Sequence, residues 1–123
     1  MKLIFITKAK ENIQAAQLLF DNNLYNASAN RAYYAAFHAA LAALSDAGIQ
    51  SERLSHEATQ AHFSDQLIRR RKIYPGHLKS YLLDLQAVRD DADYKLKLIS
   101  KKVAWRQVHK AKEFLERVEK EIS

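Results

Sequence analysis

Apolar residues along this chain recur at helical spacing almost from end to end. The clearest case is the C-terminal segment. Ala104, Val108, Ala111, Leu115, Val118 and Ile122 follow one another at alternating intervals of four and three, the stripe of a helix buried along one face. A first helix is expected over about Thr7 to Phe20, with Ile13, Ala16, Leu19 and Phe20 on its apolar side. Asp21-Asn22-Asn23 would break it. A second would begin near Asn26 or Ser28, both good N-caps, and reach Gly48 as the residue after its C-cap. A third would span about Ser55 to Arg71 with Ser55 as N-cap. After Pro75-Gly76 a fourth would run from about His77 to Tyr94, and a fifth from Ser100 nearly to the end.

The second helix departs from the others. Tyr33, Phe37, Ala40 and Leu44 form one face, while Ala32, Tyr34, Ala36, Ala39 and Ala43 spread around the rest. A helix apolar on all sides belongs at the centre of a bundle, where its alanines admit close neighbours. One chain is expected to cover only part of it, which predicts a symmetric homodimer.

Composition sharpens this picture. Two glycines and one proline in 123 residues leave too few turn residues for an all-β chain. The expectation is one all-α domain over 1–123, an antiparallel bundle of four or five helices. With no cysteine, disulfides and thiolate metal sites are excluded. The run Met1–Ile6 is too short for a secretory signal, and Ala39–Leu44 is far below a membrane span. No membrane association and a cytoplasmic location are therefore expected. The net charge of +6 is unevenly placed: Arg69 to Lys112 carries thirteen Lys/Arg against four Asp. That asymmetry suits a polyanionic partner, or a basic face that only solvates the protein. Within it lie Arg69, Arg70 and Arg71, and a stripe of Lys102, Arg106, His109 and Lys110. The stripe occupies the N-terminal half of the last helix and Glu113, Glu116, Glu119 and Glu121 the C-terminal half. This order opposes the helix dipole, so helix stability did not select it.

Several segments together carry a resemblance. Asn30-Arg31-Ala32-Tyr33-Tyr34-Ala35-Ala36-Phe37-His38 resembles the tyrosine-rich signature of HEPN domains. Ser55-His56-Glu57 followed by Phe63 is similar to the family's His-containing third helix, and Arg89-Asp90-Asp91-Ala92-Asp93-Tyr94 to its Arg-x-x-Ala-Asp-Tyr segment. Ala111, Phe114 and Leu115 match its closing helix. The resemblance implies a helical bundle, usually homodimeric, and frequent pairing with a minimal nucleotidyltransferase. Many members are metal-independent ribonucleases, often toxins, whose activity rests on an arginine and a histidine four to six residues later. Other members lack the pair and bind only. In some branches the partner transferase adds a nucleotide to a tyrosine beside the active motif, the position of Tyr94.

Cleaving RNA without metal needs a histidine to move protons and an arginine to take up phosphate charge. Arg89 has no histidine four to seven residues beyond it; Asp93 and Tyr94 stand there instead. Arg89 and Asp93 could equally be a surface i,i+4 pair. Arg31 and His38 are seven residues apart, so on a helix they point within about 20° of each other. They could share a bound phosphate or plug polar gaps inside a helical dimer. Tyr33 and Tyr34 read as core or interface residues. His56, at a helix start, could meet an anion or a carboxylate. His56 and His62 lack the spacing of a helical zinc pair, so no metal and no cofactor are expected. Tyr94 should point about 140° away from Arg89 on an unbroken helix. These residues suggest binding of RNA or a nucleotide, with ribonuclease activity open; the alternative is a non-enzymatic module that docks a partner protein.

Overall fold

Two small side chains and one glycine show how local chemistry sets helix ends here. In the computed structural model, which describes residues 1–50 and 55–122, Ser55 Oγ accepts the backbone N–H of Ala58 at 3.1 Å. Ser100 Oγ accepts that of Val103 at 3.2 Å. Both start helices as N-caps. Gly48, at φ +79°, donates its N–H to the Ser45 carbonyl, and Ile49 donates to that of Leu44. This is the Schellman pair that closes a helix through a left-handed residue.

The described residues form helices only: α1 (Lys2–Asp21), α2 (Tyr25–Asp46), α3 (His56–His62), α4 (His77–Tyr94) and α5 (Lys101–Ile122). The architecture is the all-α antiparallel bundle. Several boundaries differ from expectation. α1 starts five residues early, because Phe5 and Ala9 extend its buried stripe toward the N-terminus. Asn26 and Ser28 lie inside α2 and cap nothing. Ser28 Oγ instead donates to the Ala16 carbonyl at 2.8 Å, and the Asn26 amide bridges the Ala92 carbonyl and the Ile99 N–H. The third helix changes at His62 to a π-helical stretch, Phe63–Arg70. No local propensity announces such widening. It accompanies the packing of Phe63 between Tyr74 and Phe114, whose ring centroids lie 5.3 and 5.2 Å away.

α2 is the hub, touching every other helix. Its expected partial coverage is corrected: Ala32, Tyr33, Ala35, Ala36, Ala39, Ala40, Ala42 and Leu44 are all fully buried within one chain. Alanine makes this possible, since helices without bulky side chains can approach α2 from several sides. The C-terminal stripe behaves as expected, with Ala104, Val108, Ala111, Leu115 and Val118 buried against the hub. No helix among the described residues is long and apolar enough to cross a membrane.

Candidate functional site: a ring of polar groups around Tyr34

Register along α2 decides which polar groups meet. Tyr33 and Phe37 are four apart and face α3; Asn30, Tyr34 and His38 are likewise spaced by four and fall on a neighbouring face. Tyr33 is fully buried, whereas Tyr34 is half-buried. Around the Tyr34 ring a closed circuit runs through both arginines. The Arg89 Nη2 donates to the Tyr34 hydroxyl at 2.9 Å. Arg89 Nε lies 3.0 Å from Asp93 Oδ2. That carboxylate accepts the Asn30 amide at 2.8 Å. Asn30 Oδ1 in turn accepts Arg31 Nε at 2.8 Å. Arg31 completes the circuit by lying over the Tyr34 ring, 4.8 Å from its centroid.

The two guanidiniums differ in how their charge is met. The Arg89 side chain is only 15% exposed, and Asp90 (3.3 Å) and Asp93 both pair with it. It is therefore no surface i,i+4 pair: it is driven inward and braced against Tyr33, Tyr34 and Tyr94. Its buried Nε sits at ion-pair distance from Asp93 but off the N–H direction, so that donor makes no hydrogen bond. Arg31, by contrast, is held by neutral groups, Asn30 and the Asn12 Oδ1 of α1 at 3.1 Å. No carboxylate among the described residues comes within 4 Å of it. Its position is fixed while its charge stays unneutralised.

The histidines complete the site. His38 Nδ1–H donates to the Tyr34 carbonyl at 2.9 Å, which leaves the lone pair of the neutral ring on Nε2. Burial, with the nearby charges of Lys8 and Arg31, holds its pKa below the ordinary value, although the bond to Tyr34 opposes the shift. His56 has no carboxylate within 4 Å among the described residues. Its Nδ1 lies 2.9 Å from the Tyr33 hydroxyl, and its ring stacks on Phe37 at 4.2 Å. Burial and the Arg89 charge lower its pKa too. Burial pushes the Tyr33 hydroxyl up to about 12, so it stays a neutral donor, with Gln60 reaching it from α3.

Arg31, Tyr34, His38, His56, Arg89, Asp93 and Tyr94 thus gather at one junction of α2, α3 and α4. Tyr94 is 73% exposed, but the expected divergence from Arg89 is corrected: its ring centroid lies 5.5 Å from that guanidinium. Helical side chains lean toward the N-terminus, which carries Tyr94 back over the preceding turn. The basic residues are elsewhere. Arg69 and Arg70 both pair with Asp65, and Arg71 donates to the Ala47 carbonyl. Lys110 is bound to Asp84 at 2.6 Å, while Lys102 and Arg106 are exposed. Lys8, Asn12 and Gln60 were not evident from sequence, because α1 and α3 carry no spacing that points them at α2. Among the described residues no three His, Asp or Glu side chains group as metal ligands.

Comparison with known proteins gives the same lineage. The family model described as "HEPN domain" matches residues 3–121. The chain is 32% identical to the UPF0332 protein glr0978 of Gloeobacter violaceus over 87 residues, 71% of this chain and 67% of that protein. It is 56% identical over 36 residues to a Methanocaldococcus jannaschii protein named "Putative toxin MJ0605", covering 29% of this chain and 27% of that one.

Proposed function

The chain belongs to the HEPN family, and from that premise we propose that it is a toxin-like, dimeric RNA- or nucleotide-binding protein of the cytoplasm, paired with a minimal nucleotidyltransferase. The observation that carries the reading is Arg31, a guanidinium immobilised by two asparagine oxygens and a tyrosine face, with no carboxylate among the described residues to cancel it. A phosphate oxygen is the natural counterpart of such a fork. Arg89 plays the supporting part: its charge is already balanced, and it holds the Tyr34 hydroxyl in place. The half-buried Tyr34 ring lies beneath the Arg31 guanidinium and holds it where the phosphate would sit.

A second reading, metal-independent RNA cleavage, rests on His38. Its neutral ring presents a lone pair at Nε2 on the same helix face as Arg31. In that reading Nε2 takes the 2′-hydroxyl proton as the oxygen attacks the adjacent phosphorus. Arg31 stabilises the added charge, and the 5′-oxygen leaves with a proton from water.

Fluorescence anisotropy with a labelled single-stranded RNA tests both. Arg31→Ala should weaken binding and shrink the salt slope by about 0.7, the loss of one phosphate contact on a single strand. Cleavage in the presence of a chelator should vanish in His38→Gln while binding persists. Affinity indifferent to salt and to Arg31→Ala would leave the protein a docking module instead. Tyr94 is the proposed acceptor of a nucleotide from the partner transferase, supported by its exposure beside Lys95, Lys97 and Arg89. Its phenolic oxygen would attack the α-phosphate of ATP and release pyrophosphate. With the cognate transferase, the added nucleotide mass should be absent from Tyr94→Phe; an equally modified variant overturns the assignment.

A further inference from the structure

The end of the bundle where the α1–α2 turn meets the α4–α5 connection, just beyond Tyr94, carries apolar side chains that the fold does not use. Leu96 and Leu98 are almost wholly exposed, and Leu24 and Trp105 are about half exposed. Leu24, Leu98 and Trp105 line two adjoining recesses, with Leu96 between Lys95 and Lys97 in the same connection. One, of about 390 Å³, is lined by Leu24, Tyr25, Leu98 and Ile99. The other, of similar size, is lined by Phe20, Trp105, Lys101 and Lys102. The Phe20 and Tyr25 rings, 5.6 Å apart, make them neighbours. The backbone beneath is secured, because Asn26 ties Ile99 and Ala92 to α2.

The rim is mainly cationic, although the exposed Asp21 ends α1 beside Phe20. No acidic residue occurs between Asp93 and Glu113, whereas Lys95, Lys97, Lys101, Lys102 and Arg106 all do. Only Lys95 has an ion-pair partner among the described residues, Asp91 at 3.1 Å. Exposed leucines among lysines that, Lys95 apart, have no ion-pair partner among the described residues lower neither the solvation nor the folding free energy of an isolated chain. The same lysines explain the charge order of α5 that runs against the helix dipole.

We propose that this end is a docking surface for an acidic amphipathic segment of another protein, one that seats leucine-type side chains in the two recesses and sets its carboxylates against the lysine rim. Aliphatic side chains decide for protein over RNA. Bases stack on aromatic rings and phosphates seek cations, so Leu24, Leu96 and Leu98 would gain nothing from RNA. The recesses are shallow, and the Trp105 ring, stacked on His109 at 3.8 Å, offers an apolar wall for a side chain. The recesses share no lining residue with the ring of groups around Tyr34, although Lys95 and Lys97 of the rim follow Tyr94 directly; the test reads Trp105, not RNA binding at Arg31.

Trp105 is the only tryptophan in the chain, which makes it an intrinsic reporter. The probe is a synthetic helical peptide with leucine on one face and glutamate on the other, with a lysine-for-glutamate version as control. The acidic peptide should blue-shift Trp105 emission saturably, and the control should not. Leu96→Ser with Leu98→Ser, both solvent-facing and harmless to the core, should weaken binding about tenfold or more. Lys101→Glu with Lys102→Glu should do likewise, and added salt should weaken the wild type. Four results overturn the proposal: no Trp105 response to the acidic peptide; a response untouched by the leucine changes; saturation instead by single-stranded RNA; or saturation only by anionic lipid vesicles.

Discussion

Removing one hydroxyl should show whether Arg89 organises the site. In Tyr34→Phe the ring stays, and only the 2.9 Å bond from Arg89 Nη2 is lost. A hydrogen bond to a charged donor contributes about 1.5–3 kcal/mol, against about 1 for a neutral one. The Arg89 side chain is 15% exposed, so solvent screens this bond little, and a loss of about 1–2 kcal/mol is expected for Tyr34→Phe. Arg89→Met keeps the aliphatic stem but also strips Asp93 of its cation and three aromatic faces of theirs. The pair with Asp90, itself 46% exposed, counts for little. About 2–4 kcal/mol should go, a melting shift of roughly 3–5 °C per kcal/mol in a chain of this length. The discriminating quantity is the double-mutant cycle, read from urea unfolding followed by circular dichroism. The two changes share a bond, so they should couple by about 1 kcal/mol or more. Additivity within about 0.3 kcal/mol would refute the circuit around Tyr34 and leave Arg89 and Tyr34 as independent packing residues.

Other outcomes follow from the same geometry. Because His38 and His56 are held below their ordinary 6.5 in the fold, their contribution to stability should be complete above that value. It should be lost as pH falls through the lowered folded values, since the unfolded chain then binds more protons. Melting temperatures taken from about pH 8 down to pH 5 should show the fall, and His38→Gln should shrink it; an unchanged profile in the variant would remove His38 from the account. Gly48→Ala should destabilise by about 1–2 kcal/mol at φ +79°, although nothing lies within 4 Å of an added Cβ; chemical unfolding would reveal an open site without backbone strain if the change were neutral. Light scattering at micromolar concentration should give twice the 14.2 kDa chain mass, and a clean monomer would end the homodimer proposal.

Local chemistry by itself determined a great deal of this protein. The 3.6-residue period of α5, the serine caps at Ser55 and Ser100, Gly48 after α2 and the scarcity of turn residues settle an all-α bundle, because each acts over one or two helical turns. The string from Asn30 to His38, with His56 and the Arg89–Tyr94 segment, already marked the residues that meet at the site. Packing alone decided the rest. Whether α2 is covered depends on how closely four other segments approach its alanines, and that no spacing in α2 reveals. The π-helical turn after His62 accompanies the seating of Phe63 on Tyr74, across the next turn, and on Phe114, far along the chain. Two arginines that look alike in sequence part company for the same reason. The pairing of Arg89 with Asp90 and Asp93 of its own helix was open to spacing, but its burial against the tyrosines of α2, and the hold of an α1 asparagine on Arg31, were set by the fold.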